Sequence, residues 1–281
     1  MANETRIPVI VSTSNKHIVE ARKLKQRKYR EASGRFMVEG LQLLHMALDV
    51  GAVPHEVFYC EEQLVSPEAV SLLEGFRRSG GELLRVAPRV MEALSERDEP
   101  QGLAVSFAIS EMPLTALTLS GRELVVVLDR LQDPGNLGAL IRAADAVGAG
   151  AIVLVEPCVD PFDPKSIRGS MGSLFNVPVV STADVSGLFA WLGKNGLRAV
   201  GADPHLGELW GEGLWKGGVA LFLGNEARGL SKDLALHIGS WVRLPILGKA
   251  ESLNVAVAGG ILMYTWLRAN LPAQEEKPAR A

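Results

Sequence analysis

The feature that most constrains the fold is a series of six short apolar runs separated by segments of helical periodicity. They are ELVVVLD (123–129), AIVLVE (151–156), VPVV (177–180), LRAVGAD (197–203), VALFLG (219–224) and WVRLPI (241–246). Strands without polar alternation are covered on both faces, and covered strands alternating with helices predict an α/β domain built on a mostly parallel sheet. Ligands of such sheets bind outside the carboxyl ends of the strands, so the chemistry is to be sought in the loops that follow these runs.

The amino-terminal half has a different texture. A helical pattern over VEGLQLLHMALDVG (Val38 to Gly51) is followed by a strand pattern at EVFYC (Glu56 to Cys60), which predicts a small α/β domain. The stretch MPLTALTLSG separates the two halves, giving a first domain at 1–112, a linker at 113–121, a second domain at 122–272 and a frayed tail at 273–281. Between Ser14 and Arg35 stand eight basic residues and two acidic ones, a local charge of +6 in a chain whose formal net charge is -3. Ile18, Ala21 and Leu24 are spaced as the buried stripe of one helix. The opposite face, with Lys16, Arg22, Lys23 and Arg27, then reads either as a phosphate-tracking surface or as an ordinary solvated helix.

Several function classes lose support. Cys60 and Cys158 form no CxxC pair and the five histidines show no HxxxH spacing, so neither a disulfide scaffold nor a metal site is expected. The start, MANETRIPVIVSTS, with an apolar stretch of only five residues after Glu4, does not read as a signal peptide, and the longest apolar run, VAVAGGILMY, is half of the roughly 20 residues of a membrane-spanning helix. A cytoplasmic protein without membrane partners is expected. Neither GxGxxG nor GxxxxGK[ST] occurs, which removes the usual support for hydride transfer or ATP-driven chemistry.

Three strand-end loops stand out. LDRLQDPGNLGALIRAADAVGA (Leu128 to Ala149) runs through a Pro-Gly turn into a helix. There Asn136 reads as a cap, and Arg142 reads either as a surface partner of Asp145 or as a functional cation. LFLGNEARGLS (Leu221 to Ser231) brings Gly224, Glu226 and Gly229 to the end of a buried strand, where bare backbone can recognise a ligand. LPILGKAESLNVAVAGGILMY (Leu244 to Tyr264) reaches a last helix through Ser252, an ordinary cap candidate, and Asn254.

Together, and in this order, the three loops resemble the signature motifs of the SpoU (TrmH) family of RNA 2′-O-ribose methyltransferases, in the SPOUT class. The likeness spans about residues 123 to 267, and SIRGSMGSLFNVPV (Ser166 to Val179) is similar to a further family segment. The first half, with its basic start and VEG at Val38 to Gly40, resembles the RNA substrate-binding domain attached to some of these enzymes. Ala227 stands where the family often has Gly and Ala256 where it often has Ser, both small-for-small exchanges.

The resemblance implies an α/β fold with a carboxyl-terminal SPOUT domain tied in a deep trefoil knot, a homodimer, and S-adenosyl-L-methionine as cofactor. By the same resemblance the catalytic set is Asn136, Arg142, Glu226, Ser252 and Asn254. Leu223, Gly224, Ile246 and Leu253 hold the cofactor, and Arg168 joins Lys16, Arg22, Lys23 and Arg27 as RNA contacts. Family proposals make the arginine matching Arg142 a base. Because a guanidinium stays protonated, a clamp on phosphate or on the 2′-oxyanion is the milder assignment. Ribosomal RNA is favoured over transfer RNA as substrate. A transfer-RNA enzyme, a base-methylating SPOUT enzyme and a non-catalytic RNA-binding assembly factor remain as alternatives.

Overall fold

A computed structural model describes residues 7–110, 112–211 and 213–271. The tail expected at 273–281 lies outside the described residues. In chain order the elements are α1 (Lys16–Lys23), α2 (Arg27–Ser33), β1 (Arg35–Glu39), α3 (Leu41–Asp49), β2 (Pro54–Tyr59), α4 (Pro67–Arg78), β3 (Glu82–Arg85), α5 (Pro88–Leu94) and β4 (Leu103–Ala108). Then come β5 (Leu124–Asp129), α6 (Pro134–Ala146), β6 (Ala151–Val155), α7 (Pro164–Ser170), β7 (Val179–Thr182), α8 (Val185–Lys194), β8 (Arg198–Ala202) and β9 (Glu208–Leu209). The last are β10 (Val219–Leu223), α9 (Lys232–Ala235), β11 (Ser240–Arg243) and α10 (Val255–Asn270). They form two compact units, Met1–Glu111 with Asp160–Asn176, and Met112–Val159 with Val177–Ala281.

The first unit is a four-stranded mixed sheet in the order β1-β4-β2-β3, with β4 antiparallel to β1 and β2, and β3 parallel to β2. Period-two alternation feeds two cores. Val57, Tyr59, Leu103, Val105 and Phe107 pack with α3 and α4, whereas Phe58, Cys60 and Ala104 pack with Ile18, Val90 and Met91 from α1 and α5.

Three expectations change here. The single helix over the basic segment is two helices, because the chain turns after Leu24; Arg30 Nη1 donates to the Leu24 carbonyl oxygen at 2.8 Å. Ile18, Ala21 and Leu24 are buried as the spacing requires. The helix expected from Val38 begins at Leu41, since Val38 and Glu39 pair with Val105 and Ala104, and sheet pairing overrides local periodicity. Residues 160–176, read from sequence as part of the second domain, belong to the first unit. Phe162 lies on Phe36 at 4.7 Å between ring centroids, Phe175 meets Phe107 edge-on at 5.2 Å, and Asp160 pairs with the buried Arg30 at 2.6 Å.

The second unit is a seven-stranded sheet in the order β7-β6-β5-β10-β8-β11-β9, every pairing parallel. Every residue of β5, β6 and β10 is buried, as expected for strands covered on both faces. The chain winds outward from β5 through β6 to β7, then crosses to β8, and β10 inserts beside β5. The order therefore reverses at β5 and β10, and the crevice beyond their carboxyl ends is the place such sheets reserve for a ligand. β9, only two residues long, left no periodicity to read.

Candidate active site

Both helices that flank the crevice start there. α6 begins with Pro134 at its first turn, and its cap is Asp133, whose side chain accepts from the Asn136 N–H at 2.8 Å. Asn136 therefore does not cap the helix, contrary to the sequence reading; it sits in the first turn with its amide group available. α10 is capped by Asn254, not Ser252: Asn254 Oδ1 accepts from Ala256 N at 2.9 Å and Val257 N at 3.2 Å. Ser252, two residues earlier, is exposed on the connecting loop.

That cap determines a hydrogen-bond chain. With Oδ1 occupied, Asn254 turns its Nδ2 toward Asn136 and donates to Oδ1 at 3.0 Å. Asn136 then donates from its own Nδ2 to Glu226 Oε1 at 3.0 Å. Each amide uses both ends, so the chain has one direction and terminates on an acceptor, which suits the carboxylate of Glu226. Three loops far apart in sequence are joined by two side-chain hydrogen bonds.

Behind the chain lies a cleft of about 370 Å³, lined by Leu223, Gly224, Glu226, Ile246, Ser252 and Leu253 among others. In its wall, Gly224 lies against the backbone of its own loop. A Cβ there would sit 2.2 Å from the carbonyl carbon of Gly229 and 2.3 Å from Leu230 N, so no side chain fits between the two backbones. Asn225, buried beside it, holds the loop: Oδ1 accepts from Ala227 N at 3.0 Å and Arg228 N at 3.1 Å. Asp129, 1% exposed, accepts from Ser231 N, which ties the start of α9 to the end of β5. Gly259 lets α10 lie close on α6 and β10; a Cβ at that position would meet Leu140 Cδ2 at 2.5 Å and Leu223 Cδ1 at 2.7 Å.

The structure thus brings together Asn136, Glu226, Asn254, Ser252 and the four expected cofactor residues. It does not bring Arg142 to the cleft. Arg142 is exposed on α6, six residues beyond Asn136 and hence about 9 Å along the axis, and forms no hydrogen bond or ion pair with another described residue. The expected RNA contacts lie in the first unit. Lys16 and Arg22 are exposed, whereas Lys23 pairs with Glu20 at 2.9 Å, Arg27 with Glu31 at 2.7 Å and Arg168 with Glu96 at 2.7 Å. The Lys23 pair holds the Glu20 carboxyl below its ordinary range. Sequence reading missed Asp203 and His205, which line the same cleft after β8. The signal for them is the strand pattern LRAVGAD itself, whose carboxyl end opens on this crevice like those of the other runs.

Known proteins resemble both halves of the chain. The model of the SpoU rRNA Methylase family matches residues 123–264, and that of the MRM3-like substrate binding domain matches residues 15–105. The 23S rRNA (guanosine(2553)-2'-O)-methyltransferase RlmP of Bacillus subtilis is 31% identical over 91% of this chain and 97% of its own. The 23S rRNA (uridine(2479)-2'-O)-methyltransferase of Streptomyces viridochromogenes is 32% identical over 87% and 86%. The crystal structure of AdoMet-bound rRNA methyltransferase from Sinorhizobium meliloti superposes with a TM-score of 0.85 at 33% identity, covering 95% of this chain and 99% of that one.

Proposed function

Because the chain belongs to the SpoU family of rRNA methylases, we propose that it transfers the methyl group of S-adenosylmethionine to a ribose 2′-hydroxyl of ribosomal RNA. The observation that carries this reading is the directed chain Asn254–Asn136–Glu226 at the rim of the cleft. The naming of the relatives as 23S rRNA enzymes favours ribosomal over transfer RNA, and a cytoplasmic site of action goes with that substrate. No helix among the described residues is long and apolar enough to cross a membrane.

The residues fit the cofactor. The volume of about 370 Å³ suits a nucleoside-sized ligand, and Leu223, Ile246 and Leu253 offer apolar walls. Gly224 lets the end of β10 lie against the Gly229–Leu230 backbone, where no side chain fits. When bound, S-adenosylmethionine supplies an electrophilic sulfonium methyl group. The chain's own task is to hold the ribose oxygen in line with it, and alignment of this kind supplies much of the rate. Glu226, Asn136 and Asn254 are mutually fixed and present a rim that need not reorganise. Arg142, protonated, holds a phosphate or the developing 2′-oxyanion while solvent or phosphate takes the proton.

Since Arg142 is exposed on α6 and is not among the residues that line the cleft, the reading includes a homodimer in which it serves the partner's site. The half-buried Ile261 and the exposed Val257 and Tyr264 form an unpartnered apolar face on α10, which supports such an interface. We also read the carboxyl-terminal segment as threaded into a trefoil knot. In support, the chain runs from β11 back past the β10 loop before α10 packs on α6. Lys16, Arg22, Lys23, Arg27 and Arg168 are the proposed RNA contacts of the first unit; the surface pairs of the last three are screened by solvent and weak enough to exchange for phosphate.

The test is transfer of tritiated methyl from S-adenosylmethionine to unmodified ribosomal and transfer RNA, followed by nuclease and alkaline digestion. Label in alkali-resistant dinucleotides of ribosomal RNA is expected. Label in a base would overturn the ribose assignment, label in transfer RNA alone the substrate, and absence of cofactor binding the enzymatic reading itself.

A further inference from the structure

A second cavity, of about 480 Å³, opens beyond the carboxyl ends of β5, β6 and β10, with Arg130, Gln132, Pro157, Cys158, Asn225 and Arg228 in its wall. It shares Asn225 and Arg228 with the cofactor cleft, so the two spaces adjoin. Asn225 holds both arginines by their backbones: Nδ2 donates to the Arg130 carbonyl oxygen at 2.9 Å, and Oδ1 accepts from Arg228 N at 3.1 Å. Arg130 sits in the left-handed region with φ of 52°, an arrangement that persists only where the surroundings impose it. Its Nε donates to Asp129 Oδ1 at 3.2 Å, which orients the guanidinium and leaves its terminal nitrogens without a partner among the described residues. The Arg228 side chain, exposed, likewise bonds to no other described residue. Among the described residues no carboxylate lines this cavity; of the two beside it, Asp129 Oδ2 accepts from Ser231 N and Glu156 Oε2 accepts from Cys158 N at 2.7 Å.

Two guanidinium groups with free donors beside one cavity recognise a phosphate-like anion, which matches their planar fork. A polymer whose ribose reaches the cofactor cleft must carry its phosphodiesters on into the adjoining space, so the shared wall selects the polymer over a small anion. We propose that this cavity binds a backbone phosphate of the RNA strand next to the ribose being methylated, with Arg130 and Arg228 as its ligands. The assignment rests on the methyltransferase reading above. Arg130 stands within LDRLQDPGN yet was no candidate in the sequence, because only the strained backbone and the Asn225 tether give it a direction.

The experiment compares wild type, Arg130→Gln, Arg130→Lys and the Arg130→Gln/Arg228→Gln double variant in full-length protein. It measures S-adenosylmethionine affinity, equilibrium binding of an unmodified large-subunit ribosomal RNA transcript over a salt series, and methyl-transfer kinetics. For Arg130→Gln the expected result is an RNA KM raised roughly threefold to tenfold, a salt slope shallower by about 0.7, and a cofactor affinity within about twofold of wild type. The double variant should lower the slope by about twice as much, and Arg130→Lys should retain the wild-type slope. Unchanged RNA binding in the double variant of a wild type that methylates RNA overturns the inference alone. Loss of cofactor affinity in Arg130→Gln assigns the cavity to the cofactor's own carboxylate and also overturns it. A wild type that binds cofactor but methylates no RNA sinks the function and this inference together.

Discussion

Asn254 Nδ2 donates to Asn136 Oδ1 at 3.0 Å across 118 residues of chain, while Asn254 Oδ1 caps α10. One side chain therefore caps a helix with its oxygen and joins the chain to Glu226 with its nitrogen, and substitution can separate the two. Asn254→Asp keeps the capping oxygen but replaces the donor, so it should unfold within about 0.5 kcal/mol of wild type, while Asn254→Ala should lose about 1 kcal/mol with the cap. Both should lose methyl transfer by about tenfold or more, since Asn136 and Glu226 are no longer fixed. Chemical denaturation alongside turnover reads the two effects. An Asn254→Asp enzyme of full activity would show that the chain to Glu226 is ornamental.

Gly224→Ala should be severe for a different reason. Its Cβ would fall 2.2 Å from the Gly229 carbonyl carbon, a backbone atom with no rotamer to yield. Overpacking of this kind costs about 1–3 kcal/mol, and relief by moving the 225–230 loop shifts Glu226 and narrows the cleft. Cofactor affinity should drop at least tenfold in protein that remains folded, measured by calorimetric titration. Gly259→Ala meets mainly the ends of the Leu140 and Leu223 side chains, which can give, and should be the milder of the two.

How far the site was legible in the sequence follows from what each residue's role depends on. The strands of the parallel sheet were readable because burial on both faces removes polar residues from each of them in turn, independent of partners. Glu226, Asn254 and Asn136 were readable through a resemblance of ordered motifs, yet their division of labour was not: which asparagine caps a helix depends on where the helix starts, and Asp133 pre-empted Asn136. Arg30 shows the opposite failure. Within a basic segment it looked like one more surface cation, but its partner Asp160 lies 130 residues away, in a stretch that packs into the first unit. No local pattern encodes a pairing of that separation.

A pH effect on stability is expected from Glu123, just before β5. Burial opposes its ionisation, but its carboxylate accepts from Ser120 N at 2.9 Å and Arg122 N at 3.0 Å, and the balance holds its pKa below the ordinary value. A carboxyl with a depressed folded pKa binds its proton more readily in the unfolded chain. Its stabilisation is therefore complete above the unfolded pKa of about 4.3 and is lost as pH falls through the lower folded value. Glu123→Gln should be less stable than wild type at pH 7, and the gap should close on acidification below about pH 4. Parallel denaturation of the two proteins across pH measures this, and a gap that widens in acid would reverse the sign of the argument.

Arg142 offers a test of the dimer that does not depend on seeing it. It is exposed on α6 and outside the cleft that holds Glu226, so if it acts, it acts where its own cleft is not. Arg142→Ala should keep cofactor affinity and folding yet lose turnover by about 100-fold or more, the scale of losing a group that stabilises developing charge. Asn136→Ala, whose damage is to the other half of the site, should be similarly inactive. Mixed after unfolding and refolding together, the two inactive chains form heterodimers in which one of the two sites has both an intact Asn136 and the partner's intact Arg142. Equal mixing gives half of the dimers in this form, so activity should return to about a quarter of the wild-type sites. Recovery near that level establishes that the arginine crosses the interface. No recovery, with heterodimers present by native mass spectrometry, places Arg142 and Asn136 in the service of the same subunit's cleft.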